Sequence, residues 1–273
     1  MIEKVDISNA LGSTLQIELG DPSTGLLVED IGGLGPVKAT VVESTSAGVD
    51  GAQLQSMRRE GRDITFKINL EPDYVTETVW DLRQRVYNFF MTKMKVSLRF
   101  YMTSGLYVDI AGVVETCEPD IFTAEPAMNV SIRCSKPDFI DPNTTLTNLN
   151  TTALTVGTDI NYVGSVESGI VMTLNVNRTL NEFTIYNTPP DGVLRQLDFS
   201  AALQAGDVLK ISTVVGSKYV TLTRATVTSS LLYAVSPTSN WIEFFQGINK
   251  FRLYAVGAAI PYTIQYTTKY GGL

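Results

Sequence analysis

The residues that could do chemistry in this chain are few, and their spacing suits little of it. Histidine is absent, which removes the commonest general base and with it the Ser-His-Asp and Cys-His arrangements. Cys117 and Cys134 have no activating group beside them, and two isolated thiolates cannot fill a structural zinc site. A disulfide would need a strand register that sets them opposite each other; two free thiols and a reducing site of synthesis are expected. The 28 Asp and Glu residues make coincidental carboxylate pairs easy, so no glycosidase pair stands out. There is no Asp-x-Asp-x-Asp-Gly calcium loop and no Gly-x-x-x-x-Gly-Lys phosphate loop. The Gly32-Gly33-x-Gly35-Pro36 cluster lacks the strand-to-helix context of a nucleotide fingerprint and reads as a flexible turn. The expectation is a protein without catalytic, cofactor or metal residues, and not an enzyme.

Two constellations could instead carry binding. Met57-Arg58-Arg59-Glu60-Gly61-Arg62 is the one concentrated basic patch. It is either a solvated loop tip or an arm that pairs with an acidic surface on a neighbouring subunit, which makes Arg58, Arg59 and Arg62 candidate interface residues. Trp241, with Tyr262, Tyr266 and Tyr270, could form a sugar-stacking face, although aromatics in a β-sandwich more often serve core or interface. Sequons occur at Asn129, Asn143, Asn150 and Asn177, but no secretion signal accompanies them and abundant Asn and Thr produce them by chance.

The elements that must position these residues are mostly strands. Ile64 to Leu70 alternates apolar and polar residues strictly, as a half-buried strand does. Lys95–Phe100 and Leu106–Val114 read as strands joined at Ser104-Gly105, and Asp50-Gly51 is a strong turn signal. One helix is expected over about 73–93, with Val75, Val79, Leu82, Val86 and Phe89/Phe90 on one face. Asp73 and Glu77 at its start and Lys93 and Lys95 at its end would complement its dipole. The pair Pro137 and Pro142 marks a boundary, giving a first domain over 1–140 and a second over 141–273. Asn143–Thr155 is a linker or an edge strand. Beyond it, short apolar or alternating runs (171–176, 183–186, 208–213, 218–223, 242–245, 251–255 and 262–267) are separated by turn signals, as in a sandwich or jelly roll.

Composition bounds the rest. With 273 residues and 44% hydrophobic content the chain can bury two cores without staples. A net charge of −7 argues against nucleic-acid binding, which needs clustered Lys and Arg. No basic and apolar leader opens the sequence, and no apolar run approaches the ~20 residues of a membrane span. A soluble product of a cytoplasm is expected, with no membrane insertion.

Three patches carry a family pattern through their order and spacing. The first is Asp50-Gly51 followed by Ser56, Arg58, Arg59, Arg62 and the strand from Ile64. The second is Cys134-Ser135-Lys136-Pro137-Asp138-Phe139. The third runs from Gly206-Asp207 through the turn at Gly216 to Trp241 and Gln246-Gly247-Ile248-Asn249. Together they resemble the distal tail (Dit) proteins of long-tailed bacteriophages, with Lys136 standing where an acidic residue is common.

The resemblance implies a mainly β protein: an N-terminal tail-tube-like β-barrel or sandwich with one packed helix, and a C-terminal galectin-like β-sandwich. It also implies a homo-hexameric ring at the tail tip, assembled in the host bacterial cytoplasm and residing in the virion. Such a ring joins the tail tube protein to the hub or tip protein. The tape measure protein and receptor-binding or side-fibre proteins are further contacts. DNA would cross the lumen without specific binding, which an acidic balance suits. The alternative is a carbohydrate-binding adhesion module that uses Trp241.

Overall fold

The computed structural model describes residues 1–48, 50–120 and 123–273, and they fall into two compact units. One comprises Met1–Pro142 with Gly271–Leu273, the other Asn143–Tyr270. The C-terminal tripeptide therefore lies with the first unit, whereas the sequence alone assigns it to the second.

In the first unit the strands are β1 (Ile2–Asn9), β2 (Thr14–Glu18), β3 (Leu26–Gly32), β4 (Ala39–Ser44), β5 (Gln53–Arg59) and β6 (Arg62–Leu70). Helix α1 (Val79–Phe90) follows, then β7 (Lys95–Met102), β8 (Tyr107–Pro119), β9 (Ala127–Cys134) and the start of β10 (Phe139–Asn150). Antiparallel pairing runs in the order β2-β1-β7-β8-β9-β6-β3. β8 pairs β7 through Tyr107–Val113 and β9 from Val113 onward, with a register shift between Val114 and Thr116. Such a bulge bends a strand and lets it serve two neighbours. Along β6 the alternation is complete: Ile64, Phe66, Ile68 and Leu70 are buried while Asp63, Thr65 and Lys67 are exposed.

Helix α1 supplies Leu82, Val86 and Phe90 to this core, a stripe at i, i+4, i+8. The ring of Phe90 lies 6.1 Å from that of Phe66, Phe66 stacks at 6.5 Å on Phe100, and Phe139 meets Phe100 edge-on at 5.8 Å. The helix is shorter at both ends than its apolar spacing predicts. Thr78 and Asp81 form a reciprocal capping box: Thr78 Oγ1 accepts from Asp81 N, and Asp81 Oδ2 accepts from Thr78 N. That cap fixes the start at Val79. Asp73 and Glu77 instead close a turn, in which Asp73 O accepts from the amides of Thr76 and Glu77, and Val75 is 91% exposed. Met91 turns extended and Lys93 adopts φ 69°, so neither Lys93 nor Lys95 sits in the last helical turn.

The second unit completes β10 and adds β11 (Thr158–Tyr162), β12 (Ser168–Asn175), β13 (Leu180–Thr188), β14 (Arg195–Leu203) and β15 (Val208–Ser212). It ends with β16 (Tyr219–Arg224), β17 (Val227–Ser230), β18 (Glu243–Phe244), β19 (Gly247–Tyr254) and β20 (Pro261–Tyr270). One sheet runs β17-β16-β15-β12-β20-β10 and the other β11-β19-β13-β14. Their inner faces meet through Ile170, Met172, Leu209 and Ile264 on one side and Ile185, Leu197, Phe199 and Leu253 on the other, as in a sandwich. Of the stretch after Pro142 that could be linker or edge strand, residues 143–150 are strand, lying beside β20, and residues 151–155 are not. Tyr262 and Tyr266 are buried in this core, so neither contributes to an open aromatic face.

Candidate assembly surface

Among the described residues strands β4 and β5 pair only with each other, as a two-stranded sheet. Ala39 lies against Arg59, Thr40 against Arg58, Val41 against Met57 and Val42 against Ser56, with a bulge before Glu43–Leu54. Every residue of β5 and all of β4 except Thr40 are exposed. The exposed set includes Val41, Val42, Leu54 and Met57, the last 71% accessible. A lone hairpin is marginal in water at best, and its two free edges invite pairing with another chain. The sequence leaves the basic patch either a solvated loop tip or an arm; the structure makes it part of a hairpin whose apolar side chains have no covering layer among the described residues.

The hairpin's base is built firmly. Glu60 N donates to Lys38 O at 2.9 Å, and Thr40 Oγ1 donates to the Glu60 carboxylate. That hydrogen bond, helped by Arg58, holds the Glu60 carboxyl below its usual range. Arg58 reaches Glu60 at 3.7 Å while its side chain stays 79% exposed. Arg59 pairs with Asp138.

Arg62 behaves differently from its two neighbours, and the three candidate interface arginines separate here. It opens β6, is 3% exposed, and spends its guanidinium inside the first unit. Nε donates to Pro137 O at 2.6 Å, Nη1 to Gly33 O at 2.7 Å and Nη2 to Gly271 O at 2.6 Å. The guanidinium carbon lies 4.2 Å from the Phe139 ring centroid, a cation–π contact. Burial lowers its pKa below the ordinary arginine value, with Cys134 and Asp138 opposing; a guanidinium stays charged regardless. Arg62 is thus an internal clamp that ties the chain's last residues to the first unit, joined by Leu273 N donating to Leu34 O at 3.0 Å. The glycine cluster that reads as a flexible turn is part of this clamp. Gly33 has φ 81°, and a Cβ there would lie 1.8 Å from Asp63 O, so only glycine fits.

Trp241 is half-buried and packs against the core of the second unit, with Lys218 Nζ 5.3 Å from its ring centroid. The structure does not bring Trp241 together with Tyr262 and Tyr266, which lie inside the sandwich. The cysteines are also apart. Cys117 sits opposite Val130, four residues along β9 from Cys134, roughly 13 Å at strand rise. Burial pushes both thiols up to about 11, so both are poor nucleophiles. Among the described residues no group of His, Cys, Asp and Glu could hold a metal ion, and no helix is long and apolar enough to cross a membrane.

Comparison with known proteins adds to this geometry. Residues 163–270 match the family described as siphovirus-type tail component, C-terminal domain. No curated protein matches the chain. Among solved structures the fold is similar to that of the Dit protein (gp 19.1) of phage SPP1, described as a paradigm of the hub adsorption apparatus in phages infecting Gram-positive bacteria. The likeness covers 97% of this chain and 98% of that one, with a TM-score of 0.65 and 16% identity. A chain of the phage P2 baseplate in its activated conformation with Ca aligns over 100% of both chains at 12% identity and a TM-score of 0.47.

Proposed function

We infer that this chain, which belongs through residues 163–270 to the siphovirus-type tail components of the Dit kind, is the subunit of a hexameric ring at the distal end of a phage tail. Tail components of this kind are structural proteins of the virion. In this reading the first unit forms the ring, between the tail tube protein and the hub or tip protein. The second unit carries contacts to receptor-binding or side-fibre proteins. The tape measure protein would be a transient neighbour and DNA would pass through the lumen, which a net charge of −7 favours by offering phosphates little to hold.

The observation that carries this reading is the β4–β5 hairpin. Its apolar side chains on a two-stranded sheet are stable as an extended arm only where something covers them. A second copy of the same chain is a fitting partner. The arm presents Arg58, a cation that can pair locally with carboxylates of a neighbouring copy and so fix its register against the repulsion between two chains of net charge −7. Light scattering on the full chain and on a variant with residues 40–58 replaced by a short Gly-Ser linker tests it. The expected result is an oligomer for the full chain and a folded monomer for the variant. Assembly that survives loss of the hairpin would remove the arm from the account.

A further inference from the structure

The second unit holds a groove of about 950 Å³ over the face of the β11-β19-β13-β14 sheet that points away from the core. Phe183, Ile185, Leu197 and Phe199 point inward, so Glu182, Thr184, Asp198 and Ser200 form the groove floor on the opposite face. In register, Thr184 lies between Asp198 and Tyr254, and Glu182 lies against Ser200.

Both walls are braced. On one side Ser236 N donates to Asp198 O at 3.0 Å and Val235 bridges Phe199, which carries Tyr233 to the rim. On the other side Arg178 donates from Nη2 to Val256 O at 2.6 Å and from Nε to Ala258 O at 2.9 Å, holding the turn after Tyr254. Gly257 there has φ 105°, and its hypothetical Cβ would lie 3.1 Å from the Arg178 guanidinium carbon, so the turn closes tightly on the side chain. A groove with fixed walls binds without a large ordering cost.

The polar groups define what it would take. Asp198 is oriented by Thr184 Oγ1 at 2.7 Å and Gln196 Nε2 at 3.0 Å, leaving acceptor capacity toward the groove. The carboxylate of Glu182 makes no hydrogen bond or ion pair among the described residues. Tyr233 is 82% exposed, so its ring is available for stacking. The one guanidinium in the lining, Arg178, also gives Nη1 to Thr179 O, so its donors are spent on backbone carbonyls rather than offered to an anion. One oriented carboxylate on Asp198, a second, unengaged one on Glu182, the exposed ring of Tyr233 and no available cationic donor suit a polyhydroxylated, uncharged ligand. They oppose a phosphate, sulfate or uronate. The volume lies at the upper end of the ~300–1,000 Å³ of ligand pockets, which is room for several sugar rings.

We propose that this groove is a binding site for an uncharged oligosaccharide, formed by Tyr233, Tyr254, Glu182 and Asp198. The site is separate from Trp241 and independent of ring formation by the first unit. The test applies the full chain to an array of neutral tri- and tetrasaccharides of hexose and N-acetylhexosamine, printed beside sialylated and sulfated glycans. The strongest neutral glycan is then titrated by calorimetry. Saturable binding to a neutral glycan is expected, weakened about tenfold or more by Tyr233→Ala and by Asp198→Asn, less by Glu182→Gln, and unchanged by Trp241→Ala. Because Tyr233 is exposed, Tyr233→Ala keeps the fold, and an unaltered melting curve checks this. Absence of binding to every neutral glycan, preference for the acidic glycans, or binding indifferent to Tyr233→Ala would each overturn the assignment.

Discussion

Replacing Arg62 by methionine isolates the clamp, because methionine keeps much of the buried stem and removes every donor. Three charge-assisted hydrogen bonds to Pro137, Gly33 and Gly271 disappear, each worth about 1.5–3 kcal/mol, together with the contact to Phe139, worth about 0.5–2 kcal/mol. Against that loss, the guanidinium no longer has to be stripped of water, a cost of several kcal/mol for a buried ion. The carbonyls of Gly33 and Gly271 lie near the chain's end, where water can partly replace the lost donors. The net expectation is about 3–4 kcal/mol of destabilisation confined to the first unit. Arg62→Lys should recover only part of it, since one ammonium cannot span three diverging carbonyls. Urea unfolding gives the magnitude, and hydrogen exchange at β6 and β9 assigns the transition to the first unit while the second stays protected. The amide of Leu273, bonded to Leu34 O, should lose protection first. A variant as stable as the parent but unable to assemble would refute the reasoning and return Arg62 to the subunit interface.

Other expectations follow from the same contacts. Val41→Asp combined with Met57→Asp should leave the melting temperature within a few degrees, since both side chains are exposed, yet shift the light-scattering mass toward monomer. Asp207 is buried and held by Arg224 at 2.7 and 2.8 Å, which keeps its carboxyl below the usual value, with Gln204 N assisting. A depressed folded-state pKa gives stability that is present above the unfolded value of ~3.9 and lost as pH falls through the folded one. Asp207→Asn should therefore cost about 1–3 kcal/mol at pH 7, and the difference from the parent should shrink steadily below about pH 4 in calorimetric scans. Thr78→Ala removes the helix cap and should cost about 1 kcal/mol by urea unfolding. Cys134, which is buried, and Cys117, which is half-buried, with thiols pushed up to about 11, should react slowly with a thiol reagent at pH 8 in the folded protein and fully once unfolded; rapid native labelling of Cys134 would contradict its burial.

What could be read from sequence was what depends on near neighbours. The alternation from Ile64 to Leu70 is visible because one face of β6 is core and the other solvent. The stripe Leu82, Val86 and Phe90 is visible for the same reason in a helix. The helix ends were misplaced because apolar spacing ran past a stronger local signal. Thr78-Val79-Trp80-Asp81 is a cap, and it overrides an apolar Val75. β14 is not legible although Leu197, Phe199 and Leu203 alternate, because Gln196, Asp198 and Ser200 dilute the run with polar residues, the last two of which line the groove. The clamp was out of reach: Arg62 and Gly271 are 209 residues apart, and no pattern near Arg62 distinguishes a buried guanidinium from an exposed one. For the assembly surface, the chain itself offered a usable hint. Val41, Val42, Leu54 and Met57 are apolar residues set among small polar ones, a combination that favours an extended arm over a solvated loop.

The central claim is that this chain assembles as a ring, and native mass spectrometry of the full protein tests it most directly. The account predicts a species at six times the 29.9 kDa subunit mass, lost when residues 40–58 are replaced. A monomer at every concentration, with the hairpin intact, would contradict it.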